Sequence, residues 1–119
     1  MYKAIALLKA KPGISRDRFI EYYEEHHVPL ILRLMPQIVD YRRNYVRTDN
    51  AYLAPDISAL DFDAVTELWY RNKADYEAAA ASLNDAAVLK QITDDEEHFL
   101  DRGQTRMFVV EEYVSRIDS

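Results

Sequence analysis

Two adjacent histidines, His26 and His27, stand near the end of the segment Phe19-Ile20-Glu21-Tyr22-Tyr23-Glu24-Glu25-His26-His27-Val28-Pro29-Leu30. Imidazole is the side chain whose ordinary pKa lies nearest neutrality, so this pair suits proton transfer. Pro29 should stop or kink a helix at this point, because its ring and missing N–H disfavour helical geometry. The negative end of that helix, and Glu24 one turn earlier, are each expected to raise the His27 pKa. His26 lies about 100° further round the helix. It is either packed in the core or is itself the cavity histidine. Adjacent helical residues diverge too far to chelate one metal. With no cysteine and no spaced His/Asp set, no metal and no cofactor are expected. His98, with Asp94 and Asp101 one turn to either side, sits in an acidic setting that keeps it charged without making it catalytic.

Other side chains could assist. Glu67 lies between Val65 and Trp69 on one face of a strand; if that face points inward, desolvation raises its pKa and it can act as a base or hold an imidazole. Otherwise it pairs with Arg43 or Arg106 across the sheet. Tyr41 offers a phenol as acid or oxyanion donor. Arg43, on the same strand face, suits a substrate carboxylate or enolate. Tyr23, Trp69 and Phe108 are the aromatic walls expected to bind substrate. The expected catalytic set is thus His27, His26, Glu67 and Tyr41, and the binding set Arg43, Trp69, Tyr23 and Phe108.

These residues need elements to hold them. Residues 2–9 read as a central strand, with Ile5 and Leu7 on one face and Ala4, Ala6 and Leu8 on the other. Lys11-Pro12-Gly13 marks a turn, and Ser15 is the expected N-cap of a helix from about Arg16 to His26 or His27. Phe19, Tyr22, Tyr23 and His26 share its stripe. A short apolar helical piece, Leu30 to Met35, follows. Residues 38–48 read as a strand with Val39, Tyr41, Arg43, Tyr45 and Arg47 on one face. Residues 49–62 form a long connection of the kind used for lids, binding loops or interface arms.

Residues 63–71 make a third strand, with Val65, Glu67 and Trp69 on one face and Ala64, Thr66, Leu68 and Tyr70 on the other. Asn72 and Asp75 form a capping box for a helix striped by Tyr76, Ala79, Ala80 and Leu83. Asn84 is the expected cap of a further helix to about Asp101, packed through Val88, Leu89, Ile92 and Phe99 and stopped by Gly103. Its Asp94–Glu97 run reads as a solvated face. Residues 105–114 close the chain as a fourth strand.

The order is β-α-β-β-α-β, an α+β ferredoxin-like split within a single domain over residues 1–119. Helices cover only one face of such a sheet, while its strands are apolar on both. A second copy is the expected cover, giving a homodimer through the sheet face. Composition narrows the class further. The net charge of −6, without a basic stripe, argues against nucleic acid. Two glycines leave no room for a Gly-rich phosphate loop. With no long apolar run and no signal peptide, no membrane association and a cytoplasmic location are expected. Nine tyrosines and one tryptophan supply either strand filler or pocket walls.

Lys9-Ala10-Lys11-Pro12-Gly13, Phe19 to Tyr23, His27-x-Pro29-Leu30, Pro36 through Tyr41, Glu67-Leu68-Trp69-Tyr70 and Asp94 to Arg102 together resemble the EthD domain family of dimeric α+β barrel proteins. More distantly the chain is similar to the methylmuconolactone methylisomerases of the same superfamily. That resemblance implies roles for His27, Tyr41, and Glu67 with Trp69; Tyr70 replaces a Phe, and the loop histidine of those enzymes has no counterpart in residues 49–62. The implied function is cofactor-independent proton transfer: isomerisation, dehydration, cyclisation or decarboxylation of a small cyclic or aromatic, polyketide- or lactone-like substrate. The alternatives are a cofactor-free monooxygenase of phenols and a non-catalytic small-molecule-binding or stress-type dimer.

Overall fold

The computed structural model describes residues 1–118. Strand β1 (Tyr2–Leu8) runs into a turn where Gly13 adopts φ +85°, the left-handed region glycine enters without strain. Ser15 then caps helix α1 (Arg16–Tyr22), its hydroxyl accepting from the Arg18 N–H at 3.1 Å. One π turn (Tyr23–His27) joins α1 to helix α2 (Val28–Leu34) without a break. Next come β2 (Ile38–Tyr45), the long connection, β3 (Ala64–Tyr70), helices α3 (Lys73–Ala81) and α4 (Ala86–Glu96), and β4 (Arg106–Val110). The sheet is antiparallel with order β2-β3-β1-β4, the α+β ferredoxin-like split. Among the described residues no helix is long and apolar enough to cross a membrane.

A π turn stands where the helix was expected to stop or kink at Pro29. In α geometry the proline ring would strike the carbonyl of residue 25, and its nitrogen would leave that carbonyl without a donor. Here the Val28 N–H reaches back five residues to the Tyr23 carbonyl. A second consequence is phase. Four α-helical residues advance about 400°, so positions 19, 23, 27 and 31 would drift off one line by about 120° over three such steps. The wider turn carries less rotation per residue and cancels much of that drift. Phe19, Tyr23, His27 and Ile31 are accordingly all buried. His26, expected on this stripe, is exposed and lies against Tyr22 with ring centroids 4.6 Å apart.

Ala4, Ala6 and Leu8 of β1 and Ala64, Thr66, Leu68 and Tyr70 of β3 are buried beneath the helices. The small residues let α1 and α2 approach the sheet, and Phe99 and Leu100 complete the core. A bulge between Ile38 and Asp40 moves Val39 off the face shared by Tyr41, Arg43 and Tyr45.

Several boundaries differ from the sequence expectation, among them the end of β2 at Tyr45 instead of residue 48. Asp85 rather than Asn84 caps α4, accepting from the Ala87 and Val88 N–H groups, because a tight turn over Ser82–Asn84 shifts the start by one residue. Helix α4 ends at Glu96, well before Gly103. The chain leaves it to bury Phe99 and to bond beside β1, through Lys11 N–H to Phe99 O and Asp101 N–H to Lys9 O, both 2.9 Å. Strand β4 ends at Val110 instead of running to residue 114, with Tyr113 and Val114 exposed.

The second sheet face carries Ile5 and Leu7 of β1, Val65, Glu67 and Trp69 of β3, and Phe108 of β4, in register across three strands. No helix covers it among the described residues.

Candidate active site

Thr66 and Tyr23 start the site. Both are essentially inaccessible, at 1% exposure each, so their polar atoms must find partners within the protein. The Tyr23 and Thr66 hydroxyls lie 2.6 Å apart, and the Tyr41 hydroxyl lies 3.4 Å from that of Tyr23. Burial holds the Tyr41 pKa well above the ordinary phenol value, so this hydroxyl stays protonated and donates hydrogen bonds rather than protons.

One turn beyond Tyr23, the His27 ring meets Tyr23 edge-on at 5.2 Å between centroids and packs on Phe99 at 5.0 Å. Its Nδ1 lies 2.7 Å from Asp95 Oδ2 on α4. A carboxylate can only accept, so Nδ1–H donates and the lone pair resides on Nε2. The other Asp95 oxygen accepts from the Tyr22 hydroxyl at 2.9 Å. Three segments thereby fix one imidazole in one tautomer. Burial pushes the His27 pKa below 6.5, and it outweighs the opposing pull of Asp95. That reverses the sequence expectation. The helix does not end at His27, so no helix-terminal charge acts there, and Glu24 points to Arg43 instead.

His27, Tyr23 and Tyr41 line a cavity of about 170 Å³ between the helices and the sheet. Its walls are mostly apolar, from Leu8, Ile31, Met35, Leu68, Ile92 and Met107, with Tyr70, Thr66, Thr105 and Glu96 adding polar groups. A cavity of about 150 Å³ lined by apolar groups holds a benzene ring, so this one fits a single ring with small substituents. A buried base, mostly apolar walls and phenolic donors can together abstract a proton next to a carbonyl and hold the enolate.

The remaining expected residues lie elsewhere. Arg43 gives Nε and a terminal nitrogen to Glu24 at 2.8 and 2.6 Å, and the other terminal nitrogen to the Tyr41 carbonyl at 2.7 Å. Its fork is engaged, and it stands over the Tyr41 ring at 5.0 Å, positioning that phenol rather than offering a free anion site. Glu67, Trp69 and Phe108 are on the opposite sheet face, because strand alternation sends them away from Thr66, Leu68 and Met107. Glu67 accepts from Asn44 at 3.0 Å and from Lys3 at 3.4 Å, and these bonds, Asn44 foremost, hold its pKa below the ordinary carboxylate value instead of raising it. Trp69 stacks beneath Lys3. His98 is exposed, its ring parallel to Tyr22 at 5.3 Å. Among the described residues no three His, Asp or Glu side chains form a set able to hold a metal ion.

Asp95 and Glu96 were absent from the expected site because the whole Asp94–Glu97 run reads as solvated. The spacing held a signal. Ile92, Asp95, Glu96 and Phe99 stand at i, i+3, i+4 and i+7, the stripe of the apolar residues, whereas Asp94 and Glu97 fall off it and are exposed.

Comparison with known proteins agrees with this fold. The EthD domain model matches residues 11–103. The conidial pigment biosynthesis dehydratase EthD of Metarhizium robertsii is 26% identical over 107 residues, covering 83% of this chain and 73% of that protein. Among solved structures, an EthD-like protein from Ralstonia eutropha superposes with a TM-score of 0.66 at 20% identity, over 97% of this chain and 94% of that one. An ethyl tert-butyl ether D family protein from Bacillus halodurans gives 0.61 at 18% identity, over 95% and 100%.

Proposed function

We propose that this chain, which belongs to the EthD domain family, is a cofactor-independent dehydratase of a small cyclic, polyketide-like β-hydroxy ketone. The observation that carries the reading is the buried His27–Asp95 pair, with His27 lining a cavity fit for one ring. The name of the Metarhizium relative supports dehydration over the other proton-transfer reactions.

In this reading the substrate carbonyl lies near the Tyr41 and Tyr23 hydroxyls, and its α-carbon faces His27 Nε2. The imidazole takes the α-proton, and Asp95 stabilises the imidazolium that forms. The phenolic donors hold the enolate oxygen in surroundings with little competing water. A His27 pKa below 6.5 keeps the base unprotonated at neutral pH. The reading includes a homodimer: the uncovered sheet face bears Ile5, Leu7, Val65, Trp69 and Phe108, and a second copy of the same face would remove them from water.

The test is turnover of cyclic β-hydroxy ketones by the wild type and by His27→Gln, which keeps a polar side chain of similar length and removes the base. The expected result is a loss of turnover of about 10²–10⁴-fold, the usual contribution of an acid–base group, with the fold intact by circular dichroism. Turnover retained within a few fold, or product formation that consumes oxygen one for one, would overturn the dehydratase reading.

A further inference from the structure

Elimination of water from a β-hydroxy ketone needs two proton transfers, and His27 supplies one. Hydroxide is a poor leaving group, so an acid must meet the departing oxygen. Among the cavity-lining residues Glu96 is the one carboxyl group. It follows Asp95 on α4, and the helix turns about 100° between them. Asp95 reaches His27 and Tyr22, while Glu96 lines the cavity itself. Its hydrogen-bond partner is Arg102, whose Nε stands 3.3 Å from Oε1. The other hydroxyls at the cavity suit the role less well: Tyr23 lies 2.6 Å from Thr66, and burial pushes Tyr70 up to about 12.

We propose that Glu96 is the general acid that protonates the leaving hydroxyl group. This rests on the reading of the site as a dehydratase. As His27 Nε2 removes the α-proton, the C–H electron pair passes into the enolate and then into the new C=C bond. The C–O bond breaks, its electrons go to oxygen, and the Glu96 proton joins that oxygen to release water. An imidazolium and a carboxylate remain, and net transfer of one proton between them through solvent resets the site. Burial raises the Glu96 pKa above 4.5 against the opposing effect of Arg102, which favours the acid form this step requires.

Two substrates isolate the step: cyclohexanone with a hydroxyl group β to the carbonyl, and its β-fluoro analogue. Both yield cyclohexenone, followed by absorbance, but fluoride departs without a proton. Glu96→Gln keeps the size of the side chain and an acceptor for Arg102. It is expected to lower hydroxyl elimination by about 100-fold or more while fluoride elimination stays within about fivefold of wild type. His27→Gln is expected to lower both. If Glu96→Gln folds poorly, Glu96→Asp supplies the same comparison, with hydroxyl elimination reduced selectively. Equal losses on both substrates, or unchanged hydroxyl elimination, would overturn the proposal. A wild type inert towards both would remove it together with the dehydratase reading. Selective loss in Glu96→Gln with full activity in His27→Gln would sink the role of His27 and leave that of Glu96 standing.

Discussion

At the scale of single residues, His27 and Glu96 tie stability to pH in opposite directions. Burial lowers the His27 pKa below 6.5, so as pH falls through 6.5 the unfolded chain takes up a proton first. Stability from His27 is therefore full above 6.5 and declines as pH drops towards the folded pKa. Burial raises the Glu96 pKa above 4.5, so as pH rises past 4.5 the unfolded chain releases its proton first. Stability from Glu96 is full below 4.5 and declines as pH rises through the raised value. Glu96→Gln has no proton to lose, and its melting temperature relative to wild type should climb as pH increases from about 4 to 7. A difference that stays flat over that range would show that Glu96 titrates normally. Of the residues expected at a site, His27, Tyr23 and Tyr41 line one cavity. Glu67 shows where the reading failed. Alternation put it correctly on the face opposite Thr66, but nothing in the strand alone says which face the helices cover.

At the scale of elements, the π turn sets the register of the long helical arm. Pro29 was legible as an interruption, but its effect was not, because the choice between a stop and a wide turn is made by packing. Residues on both sides of the turn, Phe19 and Ile31, are buried in the same domain, so the chain continues. Exposed Glu25 tests this. Glu25→Ala removes an exposed side chain and should change stability by no more than about 0.5 kcal/mol. Deleting Glu25 removes the extra residue of the turn and rotates everything beyond it by about 100°. That deletion should cost the fold or the activity outright, as read by melting temperature and turnover. A deletion variant as stable and active as Glu25→Ala would mean the π turn is incidental.

At the scale of the whole molecule, strand order and helix placement followed from the β-α-β-β-α-β pattern, because each element carries its own period and caps. The acidic partners of the site did not, since they depend on how α4 lies against α1. The dimer proposed through the uncovered sheet face can be measured. Light scattering at micromolar concentration should give twice the 13.9 kDa chain mass. Trp69→Glu, placing a like charge beside Glu67's strand face on both copies, should yield monomers or raise the dissociation constant by at least about 100-fold, since aromatic anchors dominate such interfaces. A wild type that remains at 13.9 kDa would end the dimer proposal.

The position of β1 in this sheet also orders events in time. It pairs Tyr2 with Tyr70 on one side and Lys3 with Val110 on the other. A chain emerging from the ribosome therefore holds a finished first strand with no sheet partner until the stretch beginning at Ala64 has followed it. Over that interval the aromatic stripe of α1 has no sheet to cover it. Both pairings of β1 close long loops, so they are expected to form more slowly than local contacts. The β2–β3 pair, joined by the long connection, can form without β1 and offer it an edge.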